Sequence, residues 1–451
     1  MTTGGPAGLL ELAEPVLTLP GTDGVEVHLH RADTAVTRFA DSRIHQNTAR
    51  VDGEARVRVV LEGGRVGVAV TNDLTADGMR AVARRAREIA RLTPADPRFP
   101  GLATPAPYPD AGVDDPATAG CPPAERARLV AALLAELPTG VIGAGTVETG
   151  RLETAVATST GVRAEHAGTS AQVSLVASRD GADGASGYAE DAAPRLADLD
   201  VAGLGRRAAG KVAHPGGVRT LPPGTYRVIL EPGATVVLTQ WLAWVAFPAK
   251  AVAEGRSPLS GRLGQRVCDE RVTIVDDPLS GRLPGAVFDA EGTPKCRHPL
   301  IERGVATGVT HDRATAAAAG TASTGHALPA PNPDGGIATH ILIEPGTSGL
   351  DELVAGCERG VYVTRFHYTN LVHPIESTIT GMTRDGTFLV EDGRLAAPVR
   401  NMRFTSSILA ALSAVEAMGR EVQVASDLFY GAAAAPAMRL SAFTFTSATT
   451  H

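Results

Sequence analysis

Apolar and polar positions repeat along this chain at two periods, and the switches between them mark its elements. In "VEVHLHRA", Val25, Val27 and Leu29 alternate with Glu26, His28 and His30, the period-two pattern of a half-buried strand. "ARVRVVLEGGRVGVAVT" holds two such runs around Gly63-Gly64, which predicts a β-hairpin. In "LTADGMRAVARRAREIARL" the period changes to 3.6. Met79, Val82, Ala86, Ile89 and Ala90 then share one face of an amphipathic helix that lies on the sheet. Residues 93–123 are Pro-rich and read as a long surface loop. A second helix follows over about 122–137, with Leu129, Leu133, Leu134 and Leu137 inward. Three short alternating runs between 140 and 180 predict antiparallel strands with Gly turns, and a helix near 197–213 ends the first half.

Pro and Gly cluster in "HPGGVRTLPPG", and the domain boundary is placed there: residues 1–220 form one domain and 221–451 the other. The second half opens with the strand "TYRVILE" and then "VVLTQWLAWVAF", Val236–Phe247, which carries both tryptophans and no charged residue. Later strands are predicted at "GIATHILIEPG", "GVYVTRFHYTNLVH", "STITGMTRDGTFLVEDGRLAAPVRNMRF" and "RLSAFTFTSA". Asp385-Gly386 and Asp392-Gly393 are tight-turn signals. Ile408, Leu409, Leu412, Val415 and Met418 follow a helical period, with Gly419 as the C-cap. The expected fold class is α+β in two domains: an N-terminal sheet with packed helices and a mostly antiparallel, β-rich C-terminal domain.

Composition narrows the function. Of 451 residues 43% are hydrophobic and 20% charged, enough for a proper core. Aromatics are 4%, which argues against stacking platforms for single-stranded nucleic acid. A net charge of −7 and a pI near 6.0 give no bulk attraction to DNA or anionic lipid. Cys121, Cys268, Cys296 and Cys357 form no CxxC pair, the usage of a reduced cytosolic protein. The start "MTTGGPAGLLELAEPVLTLPG" lacks the pattern of a secretory signal. The longest apolar run is far short of the roughly 20 residues that span a bilayer. A cytoplasmic protein without a membrane partner is expected.

Motifs with chemistry are sparse. His28 and His30 share a strand face as a zinc pair would, but a site needs a third ligand that the sequence does not place, and a polar, solvent-facing strand edge is the better explanation. Cys296 and His298 in "CRHP" are a weak ligand signal that a surface loop also explains. Arg80, Arg84, Arg87 and Arg91 make a stripe that reads either as a phosphate contact or as the solvated face of a helix. "VTRFHYTNLVHP" is the most unusual segment. A regular strand puts Arg365, His367, Thr369 and Leu371 on one face and Phe366, Tyr368 and Asn370 on the other, so both faces mix polar and aromatic groups. Such a strand suits a cleft or a subunit contact. No Walker loop, GxSxG, nucleotide fingerprint or HExxH is present.

Several blocks resemble, in order, the TldD/PmbA family, the "modulator of DNA gyrase" proteins. They are "VILEPGATVVL", "KAVAEGRSPLSGRLGQRV", "FDAEGTPKCRHPLIERGV", "STGHA", the long block from Glu352 to Leu395 and "PVRNMRFTSSI". In the TldD branch the helix after the first strand carries HExxxH, whose histidines bind zinc with a later Cys while the Glu is the general base. The TldE (PmbA) branch lacks the motif and is the companion subunit. Here Gln240 and Val245 stand at the two His positions and Trp241 at the Glu position, and "SDLFYGAAAAPAMRLSAFTF" lacks the late Cys. The resemblance thus implies a non-catalytic TldE-like subunit of a heterodimeric zinc metallopeptidase. It has no catalytic residue, metal or cofactor of its own, and zinc is in a TldD-like partner. The candidate substrate-binding or interface residues are Arg365, His367, Tyr368, Asn370, Trp241 and Trp244, the two tryptophans serving either a contact or plain core packing. The substrate is an extended peptide or, alternatively, the amide of a biosynthetic intermediate. A third reading, a gyrase- or nucleic-acid-binding modulator, rests only on the arginine stripe.

Overall fold

The computed structural model describes residues 8–179, 186–214, 217–283, 285–425 and 431–448. The first half contains α1 (Leu9–Leu17), β1 (Gly24–Ala40), β2 (Arg43–Leu61), β3 (Arg65–Thr71), α2 (Ala76–Leu92), α3 (Pro116–Ala119), α4 (Pro123–Ala135), β4 (Val141–Thr158), β5 (Arg163–Arg179), β6 (Ser186–Ala193) and α5 (Val201–Val212). Its six strands form an antiparallel sheet in the order β3-β2-β1-β4-β5-β6. The apolar face of β1 is as expected, but its polar face is not open, since Glu26 is buried and His28 lies in a cleft. Val25, Val27 and Leu29 are fully buried with Val57, Val59, Met79, Val82 and Ala86 beneath α1 and α2. Leu133, Val173, Leu175 and Leu204 make a second core under α4 and α5. Gly67 lets α2 approach the sheet, because a Cβ there would run into the Ala86 carbonyl. The three runs expected between 140 and 180 are two long strands, since "VRAEHAG" and "TSAQVSLVASRDG" join as β5. The Pro-rich stretch is a strap rather than a free surface loop. Leu102 and Ala103 are buried, and Tyr108 donates to the Gly292 carbonyl (2.8 Å) and packs edge-on to Phe288.

The second half runs β7 (Gly224–Leu230), α6 (Pro232–Val245), α7 (Ala249–Ala253), β8 (Ile274–Asp276), β9 (His298–Glu302), β10 (Val305–Ala306), α8 (Arg313–Ala319), β11 (His340–Ile343), α9 (Leu350–Ala355), β12 (Arg359–His373), β13 (Thr378–Glu391), β14 (Arg394–Pro398), β15 (Met402–Ser407), α10 (Ile408–Ser413), β16 (Val415–Ala425) and β17 (Ala432–Ala448). The sheet is mostly antiparallel, with β7–β12 and β11–β17 parallel. Pairing of β17 with β7 closes β7, β12, β13, β15 and β17 into a ring. Phe366, Phe404, Phe443 and Phe445 fill it, with ring centroids 4.5–5.6 Å apart between neighbours. This is the α+β arrangement, with a mostly antiparallel β-rich second half, that the patterns implied.

Two local expectations fail for stated reasons. The apolar run after Ile408 is helical only to Ser413. Val415 and Met418 belong to β16, where a strand buries them against β17 instead of a helix face. Asp385-Gly386 is no hairpin turn but a bulge inside β13. Both residues have positive φ, and three steps on β13 face two on β12. Asp392-Gly393 does make the β13–β14 turn.

Candidate functional site

The chain leaves β7 at Leu230 and enters α6 through Glu231-Pro232, with Pro at the first helical position where its missing N–H costs nothing. The Glu231 side chain turns back into the protein instead of capping the helix. Its Oε1 accepts from Tyr362 Oη (2.6 Å), Thr364 Oγ1 (2.9 Å) and the Lys211 ammonium (2.6 Å). Lys211 Nζ also donates to the Tyr188 carbonyl, 2.7 Å away. Burial depresses the Lys211 pKa and Glu231 opposes that shift. One carboxylate therefore ties the start of α6 to β12 and, through Lys211, to α5 and β6 of the first half.

Along α6, Ala234 to Gln240 and Leu242, Ala243 and Val245 are buried, while Trp241 and Trp244 are half-buried. Leu238 and Leu242 sit in the main core, with Trp241 packed against it. The Trp241 indole donates to Thr369 Oγ1 on β12 at 3.1 Å. The helix carries no imidazole, thiol or carboxylate between Pro232 and Val245. Gln240, Trp241 and Val245 therefore do not fit a zinc ion or a general base, because an amide, an indole and an isopropyl group supply neither the ligand set nor a proton acceptor. Among the described residues no three His, Cys, Asp or Glu side chains are grouped to hold a metal. The "SDLFY" part of the segment that lacks the late Cys lies outside the described residues.

The six candidate residues fall in two places. Arg365 is near the first half of the molecule. Its Nε donates to Asp385 Oδ2 (3.1 Å), and its guanidinium lies 3.8 Å from the centroid of the Tyr188 ring on β6. The β13 bulge aims Asp385 at it, and Gly386 is required there because a Cβ would meet Thr364 Oγ1 at 2.5 Å. His367, Tyr368 and Asn370 lie on the outer half of β12, beside Trp241 on α6, with Trp244 one turn further along the helix. Tyr368 has φ +56°, and a bulge between His367 and Asn370 breaks the regular alternation. Thr369 thereby sits over Gly381, where a Cβ would be 2.8 Å from Thr369 Cγ2. Tyr368 is 75% exposed, Asn370 is exposed, and burial plus Arg384 and Arg365 lower the His367 pKa. Exposed Leu371, Val372 and Ile375 continue the surface to the hairpin tip. Four of the twelve exposed large apolar side chains among the described residues thus lie between 368 and 375, a concentration typical of an interaction surface.

The weaker candidates are spread out. His28 sits in a cleft between the halves, with its pKa pushed down to about 3 by burial, rather than on an open strand edge. His30 is two residues away, with no third ligand grouped beside the pair among the described residues. Cys296 is exposed, whereas the His298 ring bonds the Val309 carbonyl at 2.9 Å and packs on His326. Arg80 and Arg91 pair with Asp77 and Glu88 of their own helix. Sequence reasoning missed the Glu231–Lys211–Tyr362 joint. Its only local trace is a carboxylate directly before Pro at the end of an apolar strand.

Three family profiles match the chain: the PmbA/TldA metallopeptidase domain 1 over residues 25–90, the central domain over 122–213 and the C-terminal domain over 223–447. A metalloprotease of Methanothermobacter thermautotrophicus is 27% identical over 226 residues, half of this chain and 49% of that protein. A TldD metalloprotease homologue of Buchnera aphidicola is 25% identical over 209 residues, 45% of this chain and 42% of that protein. The matched part spans about half the length of these curated relatives or less. The crystal structure of TldE from Thermococcus kodakarensis superimposes with a TM-score of 0.86 at 21% identity, covering 97% of this chain and 99% of that one, which shows a shared fold. No helix is long and apolar enough to cross a membrane among the described residues. With the three profiles in order and covering most of its length, the chain belongs to the PmbA/TldD metallopeptidase family.

Proposed function

We propose that this chain is the non-catalytic, TldE-like subunit of a heterodimeric metallopeptidase whose TldD-like partner supplies the zinc and the general base. The observation that carries this reading is α6 itself. At the positions where the resemblance puts HExxxH, the helix presents Gln240, Trp241 and Val245. The solvent-facing row of Tyr368, Leu371, Val372 and Ile375 supports a protein contact there. The open edge of β12 supports a role in binding extended peptide. β7 pairs with β12 only at Val361–Val363, and among the described residues no other strand pairs on that side. An extended peptide can add main-chain hydrogen bonds along such an edge, beside Trp241 and His367. This chain then contributes peptide binding and closure of the chamber, and hydrolysis belongs to the partner.

Co-expression with a TldD-like protein tests the proposal. The expected result is a 1:1 complex that cleaves unstructured peptides, with this chain inactive alone. Peptide cleavage by this chain alone, or no complex with a TldD-like protein, contradicts it.

A further inference from the structure

The two halves meet at a joint that buries charged groups. Glu26 on β1 is 3% exposed, and Glu291 in the second half is 8% exposed. Both carboxylates face one guanidinium nitrogen: Arg58 Nη1 lies 3.3 Å from Glu26 Oε1 and 3.0 Å from Glu291 Oε1. Glu26 and Arg58 stand directly opposite each other on β1 and β2, so their pair stays within the first half. The Arg58–Glu291 pair crosses to the second half. Three further links between the halves end on backbone carbonyls: Tyr108 on Gly292 (2.8 Å), Arg313 on Leu102 (3.0 Å) and Arg56 on Ala330 (3.0 Å).

Glu291 is supported from its own half, since its Oε2 accepts the Arg313 backbone N–H at 3.1 Å. Glu26 lacks such support, and its Oε2 is buried without a hydrogen-bond partner. A charged oxygen left so is costly, and a proton on the carboxyl removes the charge. The charges that face Glu26 are Arg58 from β2 and Glu291 and Arg313 from the second half, while Thr158 opposite it on β4 is uncharged. Behind them Asp312 acts on Arg58, and Asp289, itself under the influence of Lys295, acts with Glu291. His28, two residues along β1, is neutral, with its pKa pushed down to about 3 by burial.

We propose that Glu26 is a proton-controlled release for the joint between the halves. With its proton on, Glu26 leaves Arg58 to Glu291, and the halves are fastened. With the proton lost to solvent, Glu26 competes for the same nitrogen from within its own half and repels Glu291, and the fastening loosens. The cleft lined by His28, Phe288 and Asp289 lies between the same halves, so the release bears on its opening. This inference is independent of the subunit role. Burial, reinforced by Glu291 and opposed by Arg58 and Arg313, pushes the Glu26 pKa from 4.5 up to about 7. The fastened state therefore binds more protons than the open one between these values. The joint weakens as pH rises from 4.5 to 7 and changes no further above that.

The test is hydrogen exchange of the whole chain at pH 5 and pH 7.5, read as protection factors over residues 286–295 in wild type and in Glu26→Gln. The amide keeps the shape of the protonated acid and cannot ionise. The expected result is a fall in wild-type protection by about tenfold or more between the two pH values, against less than about threefold in Glu26→Gln. Residues 171–177 of β5, in the core of the first half, report global opening and change less than the joint. Should Glu26→Gln not fold, Glu291→Gln decides instead. It removes the rival carboxylate, so protection at 286–295 is already low at pH 5 and its pH dependence flattens. Equal wild-type protection at the two pH values overturns the proposal. So does a fall of wild-type size in the folded variant, or an equal fall at 171–177.

Discussion

Glu231→Ala removes the acceptor on which three donors converge at the start of α6. Lys211 loses its carboxylate while remaining buried, and the Tyr362 and Thr364 hydroxyls lose a partner each. Breaking a buried pair from one side costs about 3–5 kcal/mol, because the remaining charge is uncompensated. Each stranded hydroxyl adds to the pressure for local rearrangement. With a urea m-value of about 3 kcal/mol/M, the midpoint falls by roughly 1–1.7 M. Tryptophan fluorescence is the right readout, since both tryptophans of the chain, Trp241 and Trp244, sit on α6. The double variant Glu231→Ala/Lys211→Met removes the orphaned charge and recovers about 2 kcal/mol. The penalty of the single variant also depends on pH. Burial holds the folded pKa of Lys211 below its ordinary 10.5, so the unfolded chain binds more protons between the two values and stability rises with pH across that window. Loss of the carboxylate lowers the folded value further, so the penalty shrinks as the solution becomes alkaline. A midpoint shift below about 0.3 M, or a double variant no more stable than the single, refutes the claim that this carboxylate anchors the helix.

Three other outcomes follow from the same geometry. His340 is held near a pKa of 3 by burial, against about 6.5 unfolded, so its contribution is full above pH 6.5 and is lost as pH falls towards 3. The cost of His340→Gln is therefore smaller at pH 5 than at pH 7.5 by about 2 kcal/mol, measured by urea unfolding at both. The comparison is with wild type because burial pushes Glu26 up to about 7, which gives the parent profile a contribution of opposite sign. Gly386→Ala places a Cβ 2.5 Å from Thr364 Oγ1 at φ +124°, and thermal unfolding should show a loss of about 1–3 kcal/mol. Val372→Asp with Ile375→Asp changes stability by no more than about 0.5 kcal/mol each, because both side chains already face solvent, but abolishes complex formation with a TldD-like protein in size-exclusion chromatography.

Periodicity made much of the fold legible. The alternation of Val25, Val27 and Leu29 and the helical spacing of Met79, Val82 and Ala86 mark the faces that meet in the first core, although Glu26 and His28 on the other face of β1 are covered too, by the second half. The pattern misled where both faces are covered. The run from Ile408 to Met418 is apolar at helical spacing, yet the segment after Ser413 is sandwiched as a strand, so period alone did not separate the two. Asp385-Gly386 carried a correct conformational signal, positive φ, and a wrong topological reading, because the same dihedrals serve a bulge as well as a turn. At the site, the absence of imidazole, thiol and carboxylate groups between Pro232 and Val245 was readable because it is a matter of residue identity. The pairing of Arg365 with Asp385 and of Glu231 with Lys211 was not, since each pair is 20 residues apart, and Lys211 lies on α5 of the first half while Glu231 opens α6 of the second. The outer β12 segment stood out correctly as unusual, but only its bulge at Tyr368 shows which side chains share a surface.

The central claim is that α6 has the place of a catalytic helix and none of its chemistry. Elemental analysis of zinc in this chain, purified alone without chelator or a metal-binding tag, tests it most directly. The account predicts less than about a tenth of a zinc per chain, because a true site holds its metal through purification. Close to one zinc per chain contradicts it and places a metal centre among residues that the emptied helix does not supply.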